Sequence, residues 1–266
     1  MKDLQSKQRP TVMSEPRSPA HRTGKYIYAF VAAPANRAFS EIGIDGGSVY
    51  AISYGNVAAI VSDVPAGRLR PERRHLEAHN RVIKQLVAGA TVLPMVFGTL
   101  ADSHAAVRRV LALNEENLAE QLHRVDHKLE MGLRVVWDVP NIFEYFVQTH
   151  PELRAIRDRL LGQHHAPTQE DKIEVGRMFD QLLNDDRETH TGVVESVLSK
   201  CCIDFRRNRC RNEQDIMNLA CLIGRDAQPD FEAAVLAAAK LFDNNFAFDY
   251  NGPWAPHSFV NPSLNA

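Results

Sequence analysis

No apolar run in this 266-residue chain approaches the ~20 residues that a membrane-spanning helix needs, and the first residues lack the apolar core of a secretory signal. Both absences point to a cytoplasmic protein without a membrane partner. Basic and acidic residues are interspersed and nearly equal in number, 31 against 33, so the chain carries no electrostatic footprint for nucleic acid. Cysteine is scarce. Cys201, Cys202, Cys210 and Cys221 crowd into one region without C-x-x-C spacing, a pattern of small buried hydrophobes and not of a metal site. A G-x-S-x-G nucleophile elbow is missing, and Gly43-x-x-Gly46-Gly47 has neither the spacing nor the strand-loop-helix context of a phosphate or dinucleotide loop. Nothing in the chain assembles a nucleophile, a base and an oxyanion donor, so no enzyme, no catalytic residue and no cofactor is expected.

What is present is a soluble-type composition long enough for two domains. Residues 1–23, rich in Lys, Arg, Gln, Ser and Pro, have little to bury and form an expected disordered arm. Strand signals follow at YIYAFV from Tyr26, SVYAISYG from Ser48 and VAAIVSDV from Val57. Gly55-Asn56 joins the last two as a tight hairpin. A helix begins after Pro71 and stops near Gly89. The segment Thr91–Leu100 reads as one strand, with Pro94 at an edge or bulge. A long helix from Ser103 to Lys128 carries Val107, Leu111, Leu118, Leu122, Val125 and Leu129 on one stripe.

The pattern restarts at Gly132, where the expected boundary separates an N-terminal mixed α+β domain, 24–131, from a C-terminal one, 132–266. The second contains a strand closed by Pro140. A helical region follows, broken at Pro151, at Gly162 to Pro167 and around Asn184 to Gly192. Next come the strands KCCIDFRRN and DIMNLACLIG, a helix opened by Pro229 with Asp230, and a last strand. The order β-α-β-β-α-β is that of a ferredoxin-like sheet, so the fold class is α+β with a modified ferredoxin-like C-terminal domain. In that topology the last strand lies at an edge beside the first, and one sheet face stays free of helices.

That last strand opens FAFDYNGPWAPHSFV, Phe246 to Val260, the densest aromatic stretch in the chain. Phe246, Phe248 and Tyr250 alternate with Ala247 and Asp249, the period of a half-buried strand. Asn251-Gly252-Pro253 is a turn signal that ends it, and Pro253 and Pro256 stiffen the exit. Two readings stand side by side: a last core strand with a proline-rich exit, or a pinned and partly displayed aromatic surface. Phe248, Tyr250, Trp254 and Phe259 are the candidate partner-binding residues.

Other polar clusters have weaker chemistry. His75 and His79, at i and i+4, could share a metal, but Glu77 between them points away from both and could not act as their base. The expectation is that His79 and Asn80 bond within the fold while His75 faces solvent. Asp185-Asp186 with Glu188 and His190, and His164-His165, read as solvated loops.

The order and spacing of several segments resemble the gas vesicle protein GvpF/GvpL family. These are YIYAFV, Ser62 to Pro65, His79-Asn80, VLPMVFGT from Val92 to Thr99, VVWD from Val135 to Asp138 and FDYNGPWAPHSFV from Phe248 to Val260. The chain departs from the family pattern at Val96, often a basic residue, and at Ala255 and His257, often a second proline and a tyrosine. The resemblance implies a non-enzymatic accessory protein of gas vesicle formation. It further implies binding of the small hydrophobic shell protein and of other gas vesicle accessory proteins, as chaperone or minor vesicle component. Alternatives from other classes are a ferredoxin-like regulatory module binding a small ligand and a His75/His79 metal hydrolase.

Overall fold

Two antiparallel sheets of the same strand order organise the chain, whose computed structural model describes residues 23–33, 42–65, 69–162, 168–261 and 264. The expected arm, apart from Thr23, and the His164-His165 pair lie outside the described residues. In the first half, β1 (Thr23–Ala32) is central. It pairs with β3 (Val57–Pro65) on one side and with β4 (Val92–Pro94) and β5 (Leu100–Ala101) on the other, while β2 (Val49–Tyr54) flanks β3. Gly55, at φ 51°, makes the β2–β3 hairpin that the dipeptide requires. Helix α1 (Arg73–Gly89) packs on one face of this sheet and α2 (His104–Arg124) on the other, which is why β1 and β3 are buried almost throughout.

The second half repeats the order. β6 (Lys128–Trp137) and β8 (Asp215–Gly224) are central, β7 (Cys202–Arg207) is one edge and β9 (Phe246–Trp254) the other. This is the expected ferredoxin-like arrangement, and the α+β class is that of the whole chain. Alternate residues of β6 are buried, so Leu129, Met131, Leu133, Val135 and Trp137 point toward α3 (Ile142–Thr149), α4 (Pro151–Leu161), α5 (Gln169–Leu198) and α6 (Gln228–Ala239).

Four expectations change. The segment Thr91–Leu100 is two short strands and not one, because Gly98 at φ 90° turns the chain between them. The long helix ends at Arg124, so Lys128 and Leu129 begin β6 and the expected 131/132 boundary falls inside that strand. No break interrupts α5 around Asn184 to Gly192. A capping box between Thr168 and Asp171 starts the helix, and Gly192 lies within it where an added Cβ would meet nothing within 4 Å. Asp185, Asp186, Glu188 and His190 are therefore helical and diverge: Asp186 lies 3.5 Å from His150, Glu188 pairs with Arg207, and His190 packs on Phe242 and Phe246. Finally, β9 runs through Asn251-Gly252-Pro253 to Trp254.

The two halves are joined at several points. Arg225 donates to the carbonyls of Val87 (2.7 Å) and Ala90 at the end of α1, where a cation meets the negative end of the helix. The chain after β9 crosses back to α2.

Candidate interaction site

Gly252, at φ 121°, lets β9 continue past its turn signal: Gly132 pairs with Asn251 and Glu130 with Trp254, so two residues bulge opposite Met131. A Cβ at Gly252 would lie 2.9 Å from Met131 Sδ and 3.0 Å from the Glu130 carbonyl, so only glycine fits. Across the ladder, Gly132 leaves the space that the Asn251 side chain fills, since a Cβ there would sit 2.7 Å from Asn251 Oδ1. Asn251 Oδ1 in turn accepts the Trp254 indole N–H at 2.8 Å. The indole is thus oriented by a bond to its own strand while 48% of the residue stays exposed.

The four candidate aromatics separate. Phe248 packs on the helix side of the sheet with Phe242, 5.2 Å between rings, and is half-buried. Tyr250, 40% exposed, touches Phe231 of α6 edge-on. Trp254 lies at the far end of the same edge. Phe259 is 3% exposed and joins the cluster formed by α2 with Ala220 and Leu222 of β8, so it offers no surface to a partner. The remaining exposed candidates are Tyr250 and Trp254. Sequence reasoning missed Gly132 and Asn251, whose roles arise from strand register alone.

The tail beyond Trp254 is a clasp. Ser258 donates its N–H (2.7 Å) and its hydroxyl (2.9 Å) to the two carboxylate oxygens of Glu130. Gln121 of α2 exchanges a pair of bonds with the Asn261 backbone, and Arg124 donates to the Phe259 carbonyl. Burial raises the Glu130 pKa against the lowering effect of the Ser258 bonds. The open face of the second sheet is consequently covered at one end by Phe259 and free at the other.

Four of the remaining resemblance segments, all but VVWD in β6, converge on a buried polar cluster in the first half. The Tyr26 hydroxyl bonds His79 Nδ1 at 2.8 Å and accepts the Gly98 N–H, and His79 stacks on Tyr28 and meets Phe97 edge-on. Tyr28 bonds Ser62 and accepts the Ile44 N–H. Burial, reinforced by the charge of His257, lowers the His79 pKa to about 4, so the ring is neutral at pH 7. His75 is also buried, contrary to expectation: its ring bonds Asp45 and the Arg70 carbonyl, both 2.9 Å away. The two histidines serve separate partners, and among the described residues no group of three or more His, Cys, Asp or Glu side chains is placed to hold a metal.

Two ferredoxin-ordered sheets, a helix-covered face and an exposed aromatic edge beside a clasped tail define an α+β protein without a catalytic arrangement among its described residues. The model of the gas vesicle synthesis protein GvpL/GvpF family matches residues 24–261, and the chain belongs to that family. It is 30% identical to gas vesicle protein F of a Streptomyces sp., over 77% of this chain and 85% of that protein. It is also 26% identical to gas vesicle protein L of a Streptomyces sp., over 89% and 92% of the two chains. The crystal structure of GvpF from an Anabaena sp. superposes with a TM-score of 0.80 at 24% identity, covering 90% of this chain and 98% of that one, so the fold is shared. The chain is accordingly an accessory protein of gas vesicle formation. No described helix is long and apolar enough to cross a membrane.

Proposed function

We propose that this protein binds the small hydrophobic shell subunit in the cytoplasm and assists its assembly into the vesicle, as a chaperone or a minor vesicle component, through the β9 edge. The observation that carries this reading is the half-exposed Trp254, held in place by Asn251 at the unpaired edge of the second sheet. An indole that is oriented in advance loses little conformational freedom on binding, and aromatics of this kind dominate contact energetics. A subunit that exposes apolar surface before assembly aggregates unless that surface is covered. Tyr250 and Trp254 supply such cover, and the edge backbone of β9 can add a partner strand.

Capture of purified shell protein by this chain, followed in a pull-down and by light scattering of the shell protein alone, tests the proposal. Wild-type protein should bind at micromolar concentration and suppress aggregation. Trp254→Ala should fold normally and bind at least tenfold more weakly, as loss of one central aromatic implies. Failure of the wild type to bind at all refutes the proposal.

A further inference from the structure

The outer edge of β9 and the outer side of α6 lie together on the second half, and both lack a partner. Ladder parity fixes what the edge offers. The Asp138 N–H donates to the Asn245 carbonyl at 2.7 Å, so Ala247, Asp249 and Asn251, two residues apart in the same register, turn their backbone groups toward β6. Phe246, Phe248 and Tyr250 turn theirs outward. The Asp243 carbonyl takes the Phe246 N–H, which leaves the N–H groups of Phe248 and Tyr250 and the carbonyls of all three without a bond among the described residues. Lysine, proline and bulges are usual devices for blunting such an edge, and Phe246–Tyr250 has none of them; the bulge and Pro253 come after it.

Helix α6 is apolar on two sides. Phe231, Val235 and Ala238 enter the core, yet Ala233, Leu236 and Ala237 are exposed, Leu236 at 62%. A helix that is apolar on both sides is ordinarily covered on both. It runs antiparallel to β9, since Phe231 near its start meets Tyr250 while Phe242 just past its end meets Phe246 and Phe248. With the core side set down on the sheet, the right-handed turn of the helix brings Glu232, Leu236 and Lys240, spaced by four, to the side above the β9 edge. Glu232 accepts a bond from Gln228 at 3.2 Å, and neither it nor Lys240 has an ion-pair partner among the described residues.

We propose that this side of the protein pairs with the same side of a second copy, β9 antiparallel to β9, so that one sheet runs through both copies and α6 lies beside α6. The two-fold axis passes at Phe248. The two Phe248 residues then exchange backbone bonds, and each Tyr250 N–H meets the opposite Phe246 carbonyl. Moving the axis to Asp249 would set two carboxylates directly opposite each other, whereas at Phe248 each Asp249 faces Ala247 and each Phe246 faces Tyr250. Leu236, midway between Phe231 and Phe242, lies level with Phe248. The two Leu236 side chains therefore meet near the axis, and Glu232 of each copy faces Lys240 of the other. An acid, an apolar residue and a base at equal spacing are complementary to themselves when reversed, which is the charge pattern an isologous contact needs. This inference needs no shell protein and goes beyond the function proposed above. A second copy seated on β9 excludes an added strand there, so the two modes compete for one edge.

Sedimentation velocity of the full chain alone, from about 1 to about 100 µM, tests the pairing. The wild type should pass from monomer to dimer with a midpoint on the order of 10 µM, as a small interface implies. Leu236→Lys, at an exposed position, and Ala247→Asp, which sets carboxylates opposite each other, should each weaken association at least about tenfold, with circular dichroism showing that both variants fold. Glu232→Lys and Lys240→Glu should each weaken it as well, and the double variant should recover wild-type association because every acid again meets a base. A chain that stays monomeric at about 100 µM, a dimer indifferent to Leu236→Lys and Ala247→Asp, or a double variant as weak as either single change overturns the proposal. The shell-protein pull-down is scored separately. Shell binding without self-association overturns this inference alone, and self-association without shell binding overturns the proposed function alone.

Discussion

Mild acid should destabilise this protein in part through the His79 ring, beside the buried His190 and His257, whose pKa values burial also lowers. His79 is buried against Tyr26, Tyr28 and Phe97, and burial together with the charge of His257 lowers its pKa from 6.5 to about 4. Above the unfolded value both states are neutral at this site and nothing is lost. As pH falls below it, the unfolded chain gains a proton that the folded chain refuses, so stability drops until the folded pKa is reached. A shift of this size corresponds to about 3 kcal/mol when fully expressed, and to about 1.3 kcal/mol between about pH 7.5 and about pH 5.5. His79→Asn keeps an acceptor for the Tyr26 hydroxyl and removes the titration. Urea unfolding of both proteins across that range should show wild-type stability falling relative to the variant by about that amount. His75 works in the opposite sense, since its pKa is raised by the Arg70 carbonyl and then by Asp45, but it is common to both proteins and cancels. Parallel pH profiles for the two would refute the reasoning.

Other substitutions follow from the same geometry. Gly252→Ala forces an L side chain at φ 121° against the Glu130 carbonyl and should cost about 1–3 kcal/mol in denaturant unfolding. Phe259→Ala empties a buried place between α2 and β8 and should cost about 3–5 kcal/mol, whereas Trp254→Ala, half-exposed, should cost under about 1 kcal/mol; equal losses would contradict the clasp. Asp215→Ala leaves Arg134 without its buried partner and should cost about 3–5 kcal/mol, measured as a fall in thermal midpoint.

Much of the fold was legible locally. Gly55-Asn56 is a hairpin dipeptide wherever two alternating strands flank it, Pro151 marks a boundary between helices, and DIMNLACLIG reads as a strand. The order of these elements implied the ferredoxin-like sheet. Errors fell where a residue's meaning depends on its partner. Gly192 looked like a helix break, but α5 is stabilised by packing over its length. Asn251-Gly252-Pro253 looked like the end of a strand, but the bulge opposite Met131 absorbs the extra residue.

The aromatic tail shows the division most clearly. Its alternation determined from sequence alone that a strand runs from Phe246, and its motif carries part of the resemblance to the GvpF/GvpL family. Only tertiary structure decided that Phe259 is core, that Tyr250 and Trp254 are surface, and that Asp215 holds the Arg134 guanidinium and the Arg211 backbone N–H. The physical reason is range. Periodicity and turn chemistry act over a few residues, whereas Glu130 meets Ser258 and Gly132 meets Asn251 across more than a hundred residues of chain, through a register that local sequence does not encode.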